Sequence, residues 1–203
     1  MEDIIEYLRV YYSPLSVIVY GSYADGSRNA GSDFDALVIT EGGERTHDVS
    51  FVGNVQLDVF VYPREYVEGD IDLSGFLQIF DGIIAIDTNG VGKSLKERVL
   101  RYIAAQPKKS KNELHASVEW CRKMLTRTKR GDAEGMFRWH WVLTESLEVF
   151  CDLVGEPYRG PKKSLRWMER EHPAEYAAYS AALFGFDESS LEKWIDTLCG
   201  FEK

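Results

Sequence analysis

The spacing of apolar residues changes at Gly92, and this change constrains the fold of the chain more than any other feature. Before Gly92, short β-branched runs alternate with turn-rich segments, which is the pattern of a sheet. After Gly92, apolar residues recur every three or four positions, which is the pattern of helices. The sequence therefore predicts an α+β protein, in which a small mixed sheet is followed by a helical bundle.

The predicted elements follow this division. Residues 2–12 have apolar side chains at helical spacing as far as Ser13-Pro14, and we expect a first helix there. Strands are expected at residues 16–20, 36–40, 54–62 and 83–86, and further helices at residues 94–105, 111–129, 133–154, 162–171 and 189–199.

The distribution of charge predicts a domain boundary near Pro107. Residues 1–107 hold 8 of the 24 Lys and Arg and 17 of the 33 Asp and Glu, so they carry the whole net charge of −9. We expect two domains, residues 1–107 and 108–203, the second binding the acceptor. Because an acidic domain repels nucleic acid, broad nucleic-acid binding is not expected. An acidic cluster that collects Mg²⁺ fits this composition better.

The chain lacks the sequence signals of membrane insertion and secretion. No apolar run is long enough to cross a bilayer, and the residues after Met1 lack the basic region and cleavage site of a secretory signal, so we expect a cytoplasmic protein. Cys121, Cys151 and Cys199 lie far apart without CxxC spacing. They are expected to be reduced thiols rather than disulfide partners or zinc ligands.

Gly21 and Ser22 end the first predicted strand. A small residue at such a turn lets backbone amides approach a ligand closely, and the serine hydroxyl lies beside them. This combination favours phosphate as the ligand. Gly21 and Ser22 are therefore candidate nucleotide-binding residues.

Three aspartates follow the turn in a spacing that predicts a metal site. Asp33 and Asp35 point to the same face if their backbone is extended, and Asp58 joins them if residues 54–62 pair with residues 36–40. Three carboxylates this close would repel one another unless divalent ions neutralise them. Mg²⁺ prefers oxygen ligands, and two ions can activate an attacking oxygen and stabilise a leaving one. A nucleoside triphosphate is the natural donor.

Over residues 16–62 the chain resembles the nucleotidyltransferase superfamily, which includes DNA polymerase beta, kanamycin nucleotidyltransferase and the minimal nucleotidyltransferases of prokaryotes. The resemblance rests on Gly21-Ser22, then ten residues, then Asp33-Phe34-Asp35, and on the later Leu-Asp58-Val-Phe-Val. It implies that Asp33 and Asp35 bind metal and that Asp58 binds metal or acts as the base. It also implies that Gly21 and Ser22 hold the triphosphate. Ser32 is a further candidate nucleotide-binding residue.

The sequence departs from this resemblance at Asp25, where many relatives have a basic residue. Positive charge for the triphosphate must then come from elsewhere. We favour Lys162 and Lys163, which begin a predicted helix that also contains Arg166. The alternative interpretation of this basic run is an exposed, solvated helix surface without a binding role. The alternative group is Lys108, Lys109 and Lys111.

The helix predicted at residues 133–154 has two distinct faces. The apolar face is expected to lie in the core and comprises Met136, Trp139, Leu143, Leu147, Phe150 and Val154. The opposite face comprises Arg138, Trp141, Glu145, Glu148 and Asp152. It is either a solvated surface or a site for a cationic, polyhydroxylated acceptor. In the second case Glu145 orients or deprotonates the acceptor hydroxyl, because some antibiotic-modifying relatives take a carboxylate from this domain.

Other motifs are expected to have no direct role in the chemistry. The histidines, His47 among them, lack metal-ligand spacing, and Trp120, Trp139, Trp167 and Trp194 are expected to pack in the bundle. Gly90-Val-Gly-Lys-Ser is similar to a phosphate-binding loop but lacks the first glycine of that motif.

The predicted activity is transfer of AMP from ATP, or of another nucleoside monophosphate, to a hydroxyl group with release of pyrophosphate. An aminoglycoside-like small molecule is the leading acceptor, because the chain has its own helical domain and no broad basic surface. Two alternatives stay open: an antitoxin-type enzyme that modifies a protein partner, and a nucleotide-binding module without turnover. A homodimer that completes the cleft also stays open.

Overall fold

A computed structural model describes residues 1–201 of the chain, which fall into two compact units. The first comprises Met1–Gln106, and the second begins at Pro107. Each unit is described by itself below.

The first unit is built around a mixed sheet. Its strands are β1 (Ser16–Val19), β2 (Phe34–Thr40), β3 (Thr46–Asp48), β4 (Phe51–Val52), β5 (Val55–Pro63) and β6 (Ile83–Asp87). Its helices are α1 (Glu2–Tyr12), α2 (Arg64–Glu68) and α3 (Val91–Ala105), with 3₁₀ turns at Gly21–Tyr23 and Leu73–Ile79. The strand order is β3-β5-β2-β1-β6, and β4 pairs with β5. Only β2 and β5 run parallel among these pairs, so the mixed sheet is confirmed.

Helices cover both faces of this sheet. On one face, Ile4 and Leu8 of α1 pack on Val17, Ala36 and Val59. The other face packs on the second 3₁₀ turn and on α3, through residues that include Ile18, Leu37, Phe76, Leu95 and Val99. Burial on both sides explains why residues 36–39 of β2 form an unbroken apolar run.

The helix α3 begins at Val91, three residues before its predicted start. The carboxylate of Asp87 accepts hydrogen bonds from the backbone amides of Gly92 (2.9 Å) and Lys93 (3.1 Å). Backbone amides in the first turn of a helix have no partner within the helix. By accepting from two of them, Asp87 stabilises a first turn that lies before the predicted start of α3. The same contacts occupy the amides that a phosphate would need at Gly90-Val-Gly-Lys-Ser.

The second unit is a helical bundle, as predicted. Its helices are α4 (Lys111–Thr128), α5 (Ala133–Val154), α6 (Gly160–Glu171), α7 (Pro173–Gly185) and α8 (Glu188–Gly200). Phe150, Met168, Leu191 and Trp194 are fully buried at its centre. Residues 1–201 contain no helix with the length and apolar character needed to span a membrane.

Helix α7 was not predicted from the sequence. Pro173 was expected only to end the preceding helix, but it stands in the first turn of α7, where a proline costs no hydrogen bond. Helix α7 is rich in alanine, so its apolar stripe is weak and its periodicity gives little signal.

The predicted core face of α5 is correct except at its first turn. Trp139, Leu143, Leu147 and Phe150 are buried, whereas Met136 is 51% exposed. Gly135 packs there instead, since a β-carbon at Gly135 would lie 2.9 Å from the carbonyl oxygen of Thr128. The helix therefore turns Met136 toward solvent.

The three cysteines are free thiols. Cys121 and Cys151 are buried, and Cys199 is half-buried. Burial raises the pKa of the Cys121 thiol to about 12 and that of Cys151 to about 11. Both buried thiols therefore stay protonated near neutral pH.

Candidate active site

The register of β2 and β5 brings the three aspartates together. The two strands run parallel with Asp35 directly opposite Asp58, and Asp33 precedes Asp35 by two residues. Carboxylate oxygens of Asp33, Asp35 and Asp58 lie within 4.8 Å of one another. Asp33 is exposed, and the other two are half-buried. Three ionised carboxylates this close repel one another, so the donor set fits a hard divalent cation.

Strand alternation explains why these carboxylates avoid the core. Phe34, Ala36, Leu57 and Val59 point to the α1 side of the sheet, which leaves Asp35 and Asp58 on the other side. Tyr20 lies near them on that side. Burial, with the charges of Asp58 and Asp35, raises the pKa of Tyr20, so its hydroxyl stays neutral and adds no further negative charge.

Gly21 lies against the carboxylate of Asp35. Its φ is +65°, and a β-carbon built at this position would lie 2.1 Å from Asp35 Oδ2. The backbone amide of the preceding residue, Tyr20, donates to the carbonyl oxygen of Asp35 at 3.1 Å. Only a residue without a side chain fits here, so the turn and the aspartate cluster form one site.

Ser22 is the polar group of this turn that lacks a partner. Its side chain is 4% exposed, and within residues 1–201 its Oγ makes no hydrogen bond. A buried polar group left unpaired costs about 1–3 kcal/mol. The amides of Ala24 and Asp25 both donate to the carbonyl oxygen of Gly21, so they are already engaged. The Ser22 hydroxyl is therefore a fitting contact for a phosphate oxygen.

The loop between Ser22 and Asp33 is held by its own side chains. Ser32 Oγ accepts a hydrogen bond from the amide of Asn29 at 2.9 Å, and the Ser32 amide donates to Asn29 O at 3.1 Å. Asp25 Oδ1 accepts from the amide of Ser27 at 2.8 Å. Ser32 thus fixes the loop that leads into Asp33.

Sequence reasoning missed His47. This residue lies in β3, and its Nε2 is 2.5 Å from Asp58 Oδ1. Its ring stacks on Phe60 with a centroid distance of 4.2 Å and an interplanar angle of 3°. The pairing of β3 with β5 creates both contacts. Thr46-His47-Asp48 has no apolar alternation, so only the long-range pairing reveals the role of His47.

Glu145 lines a cleft within the second unit. The cleft has a volume of about 420 Å³ and is lined by Lys109, Ala116, Ser117, Trp120, Trp141, Glu145, Glu148 and Val149. Trp120 and Trp141 meet edge to face at 5.3 Å and 75°. Trp120, expected to be a packing residue, is half-buried and also lines the cleft.

The basic residues proposed for the triphosphate differ in their contacts. Lys109 Nζ is 2.6 Å from Asp152 Oδ2, and Lys108 Nζ donates to the carbonyl oxygen of Gly155 at 3.4 Å. Both are thus engaged within the second unit. Lys162 and Lys163 lie in the first turn of α6, the former exposed and the latter half-buried.

Comparisons with known proteins complete the description of the site. The chain is similar to the crystal structure of a nucleotidyltransferase-like protein from Exiguobacterium sibiricum 255-15, with 14% sequence identity and a TM-score of 0.48 over 98% of this chain and 74% of that one. Among curated proteins no match was found. Residues 1–79 match the family model "Nucleotidyltransferase domain", and this range contains Gly21, Ser22, Asp33, Asp35 and Asp58. Residues 1–79 therefore carry a nucleotidyltransferase domain.

Proposed function

We propose that this enzyme transfers a nucleoside monophosphate, AMP from ATP in the leading version, to a hydroxyl group of a small molecule in a Mg²⁺-dependent reaction. Nucleotidyltransferase domains use a nucleoside triphosphate and a divalent metal ion. The observation that carries the proposal is the convergence of Asp33, Asp35 and Asp58 within 4.8 Å. Gly21 lies against this cluster, and the hydroxyl of the next residue, Ser22, has no hydrogen-bond partner within residues 1–201.

The proposed reaction is an in-line displacement at the α-phosphorus. The acceptor oxygen forms a bond to this phosphorus, and the bond from phosphorus to the bridging oxygen of pyrophosphate breaks. Bound Mg²⁺, two ions in our proposal, would lower the charge on the phosphates and activate the attacking oxygen. Asp33, Asp35 and Asp58 would hold the metal. Asp58 is also our candidate to accept the hydroxyl proton.

Ser22 and two lysines are the proposed contacts of the triphosphate. Ser22 donates its hydroxyl hydrogen to a phosphate oxygen, which gives the buried Oγ its missing partner. Lys162 and Lys163 supply positive charge to the triphosphate, because Asp25 brings none to the turn.

We propose that the acceptor binds in the cleft of the second unit. Glu145 and Glu148 provide negative charge there, and the indole rings of Trp120 and Trp141 provide apolar contact. This chemistry suits a cationic, polyhydroxylated molecule such as an aminoglycoside-like antibiotic. Glu145 would orient the acceptor hydroxyl.

A pyrophosphate-release assay tests the activity. Purified protein is incubated with Mg²⁺, each of the four nucleoside triphosphates and a panel of amino-sugar acceptors, and modified acceptors are identified by mass spectrometry. We expect release that requires both Mg²⁺ and acceptor and that is lost in Asp35→Asn. Equal release without a divalent cation, or by Asp35→Asn, would overturn the proposal.

A further inference from the structure

His47 contacts Asp58, the member of the aspartate cluster that lies on β5, next to the edge strand β3. Its Nε2 is 2.5 Å from Asp58 Oδ1. An ionised carboxylate only accepts hydrogen bonds, so Nε2 is the donor. One oxygen of Asp58 is therefore held by the ring, and Asp58 also offers a carboxylate oxygen to the cluster with Asp33 and Asp35.

The ring of His47 is itself held in place. It lies parallel to the ring of Phe60, its direct partner in the antiparallel pairing of β3 and β5. The next residue, Asp48, accepts a hydrogen bond from the hydroxyl of Tyr12 at 2.8 Å and another from the amide of Ser50 at 2.9 Å. The three-residue strand β3 is therefore held in place by the stacking of His47 on Phe60 and by the hydrogen bonds of Asp48.

A fixed partner matters because Asp58 is half-exposed. Its side chain has a relative exposure of 36%, so packing alone does not set its rotamer. A carboxylate that binds metal gains affinity when a neighbouring donor holds its orientation before the ion arrives. His47 meets this requirement, and its own side chain is 44% exposed, so little of the fold depends on it.

We propose that His47 is a positioning residue, which fixes Asp58 through the Nε2–H donor so that a carboxylate oxygen of Asp58 faces the metal. This inference rests on the proposed function, because it assumes that Asp58 is a metal ligand. It adds a residue from β3, a strand that contributes no carboxylate to the cluster.

Two substitutions separate the donor from the ring. His47→Phe keeps a flat ring against Phe60 and removes the donor. His47→Gln keeps an N–H donor at a similar reach and removes the ring stack. His47→Leu is a second variant without a donor, for use if His47→Phe does not fold. Far-UV circular dichroism checks the fold of each.

The measurement is the dissociation constant of Mn²⁺, determined by electron paramagnetic resonance on the full chain with α,β-methylene-ATP, which cannot be cleaved at the α-phosphorus. We expect His47→Phe and His47→Leu to weaken Mn²⁺ binding by about 10- to 100-fold, the usual effect of removing an outer partner of a metal ligand. We expect His47→Gln to recover most of the affinity. Electron spin echo spectra of the wild type should show no directly bound imidazole nitrogen.

Each contrary result has a distinct meaning. Wild-type affinity in His47→Phe, or equal losses in His47→Phe and His47→Gln, would overturn the positioning role and leave the proposed function intact. A nitrogen coupling from bound imidazole would make His47 a ligand instead. Failure of the wild type to bind Mn²⁺, with or without the nucleotide analogue, would overturn the proposed function and this inference together.

Discussion

The Oδ2 atom of Asp35 occupies the space that any side chain at Gly21 would need. A β-carbon at position 21 would lie 2.1 Å from this oxygen, far inside van der Waals contact. The proposed phosphate turn and the proposed metal cluster are therefore packed directly on each other. A side chain added at Gly21 must therefore displace the carboxylate of Asp35, and the effect of this displacement on activity can be measured.

We expect Gly21→Ala to lower the rate of nucleotide transfer by about 100-fold or more, because displacing a catalytic group by about 1 Å costs that much. Gly26→Ala is the matched control: Gly26 also has a left-handed φ, +74°, but nothing lies within 4 Å of its β-carbon. Both variants pay about 1–2 kcal/mol of backbone strain. Pyrophosphate release measures the rate of transfer, and urea denaturation measures the loss of stability. Equal activity in the two variants would contradict the account.

Glu145→Gln is expected to raise the acceptor KM by about 10-fold and to leave the KM for the nucleotide unchanged. The substitution removes one of two negative charges from the cleft and keeps its shape. Glu169→Gln, an exposed glutamate on α6 outside the cleft lining, is the control. Steady-state kinetics with each substrate varied separately makes the measurement. Identical acceptor constants in Glu145→Gln and wild type would remove Glu145 from the site.

A buried hydrogen bond in the second unit predicts a stability effect. Trp194 Nε1 donates to Ser146 Oγ at 2.8 Å, and both side chains are fully buried. Ser146→Ala should lower the free energy of unfolding by about 1–3 kcal/mol, because the indole N–H loses its partner. Thr144→Ala, on the exposed side of the same helix, should change it by less than about 0.5 kcal/mol. All five tryptophans lie after residue 107, so their fluorescence during urea denaturation follows this unit. Equal losses would refute the assignment.

The helix α8 should lose stability in acid through Asp187. Hydrogen bonds from the hydroxyls of Ser189 and Ser190 and from the Ser190 amide lower the pKa of Asp187 to about 2. The unfolded value is about 3.9, so the stabilisation is complete above about pH 4 and is lost as the pH falls through about 2. Asp187→Asn still caps the helix but does not titrate there. Tryptophan fluorescence in urea should show the wild type losing stability relative to Asp187→Asn between pH 4 and pH 2; a constant difference would contradict this prediction.

The elements that sequence predicts best are those with dense apolar signals. Strands β1, β2 and β5 are buried apolar segments, and α5 was predicted with its observed bounds, Ala133–Val154. Strands β3 and β4 were not predicted because they have only three and two residues and are not buried. Their strand conformation depends on pairing with β5 rather than on their own composition. Helix α7 was missed because alanine gives a weak apolar stripe.

The same distinction holds for the site. Spacing along the chain was enough to select Asp33, Asp35 and Asp58, because β2 is a continuous apolar strand and β5 is a strand with clear alternation. His47 reaches Asp58 through a strand that sequence did not reveal, and Trp120 reaches the cleft through the packing of α4 on α5. Contacts of this kind depend on tertiary pairing, which periodicity within one segment does not contain.

Calorimetric titration measures whether the aspartate cluster binds nucleotide through a divalent metal. α,β-Methylene-ATP is titrated into the wild type and into Asp35→Asn, each with Mg²⁺ and with EDTA. We expect Mg²⁺ to strengthen nucleotide binding to the wild type by about 10-fold or more and to have no such effect in Asp35→Asn. Equal affinity with and without Mg²⁺ in the wild type, or unchanged Mg²⁺ dependence in Asp35→Asn, would contradict this expectation.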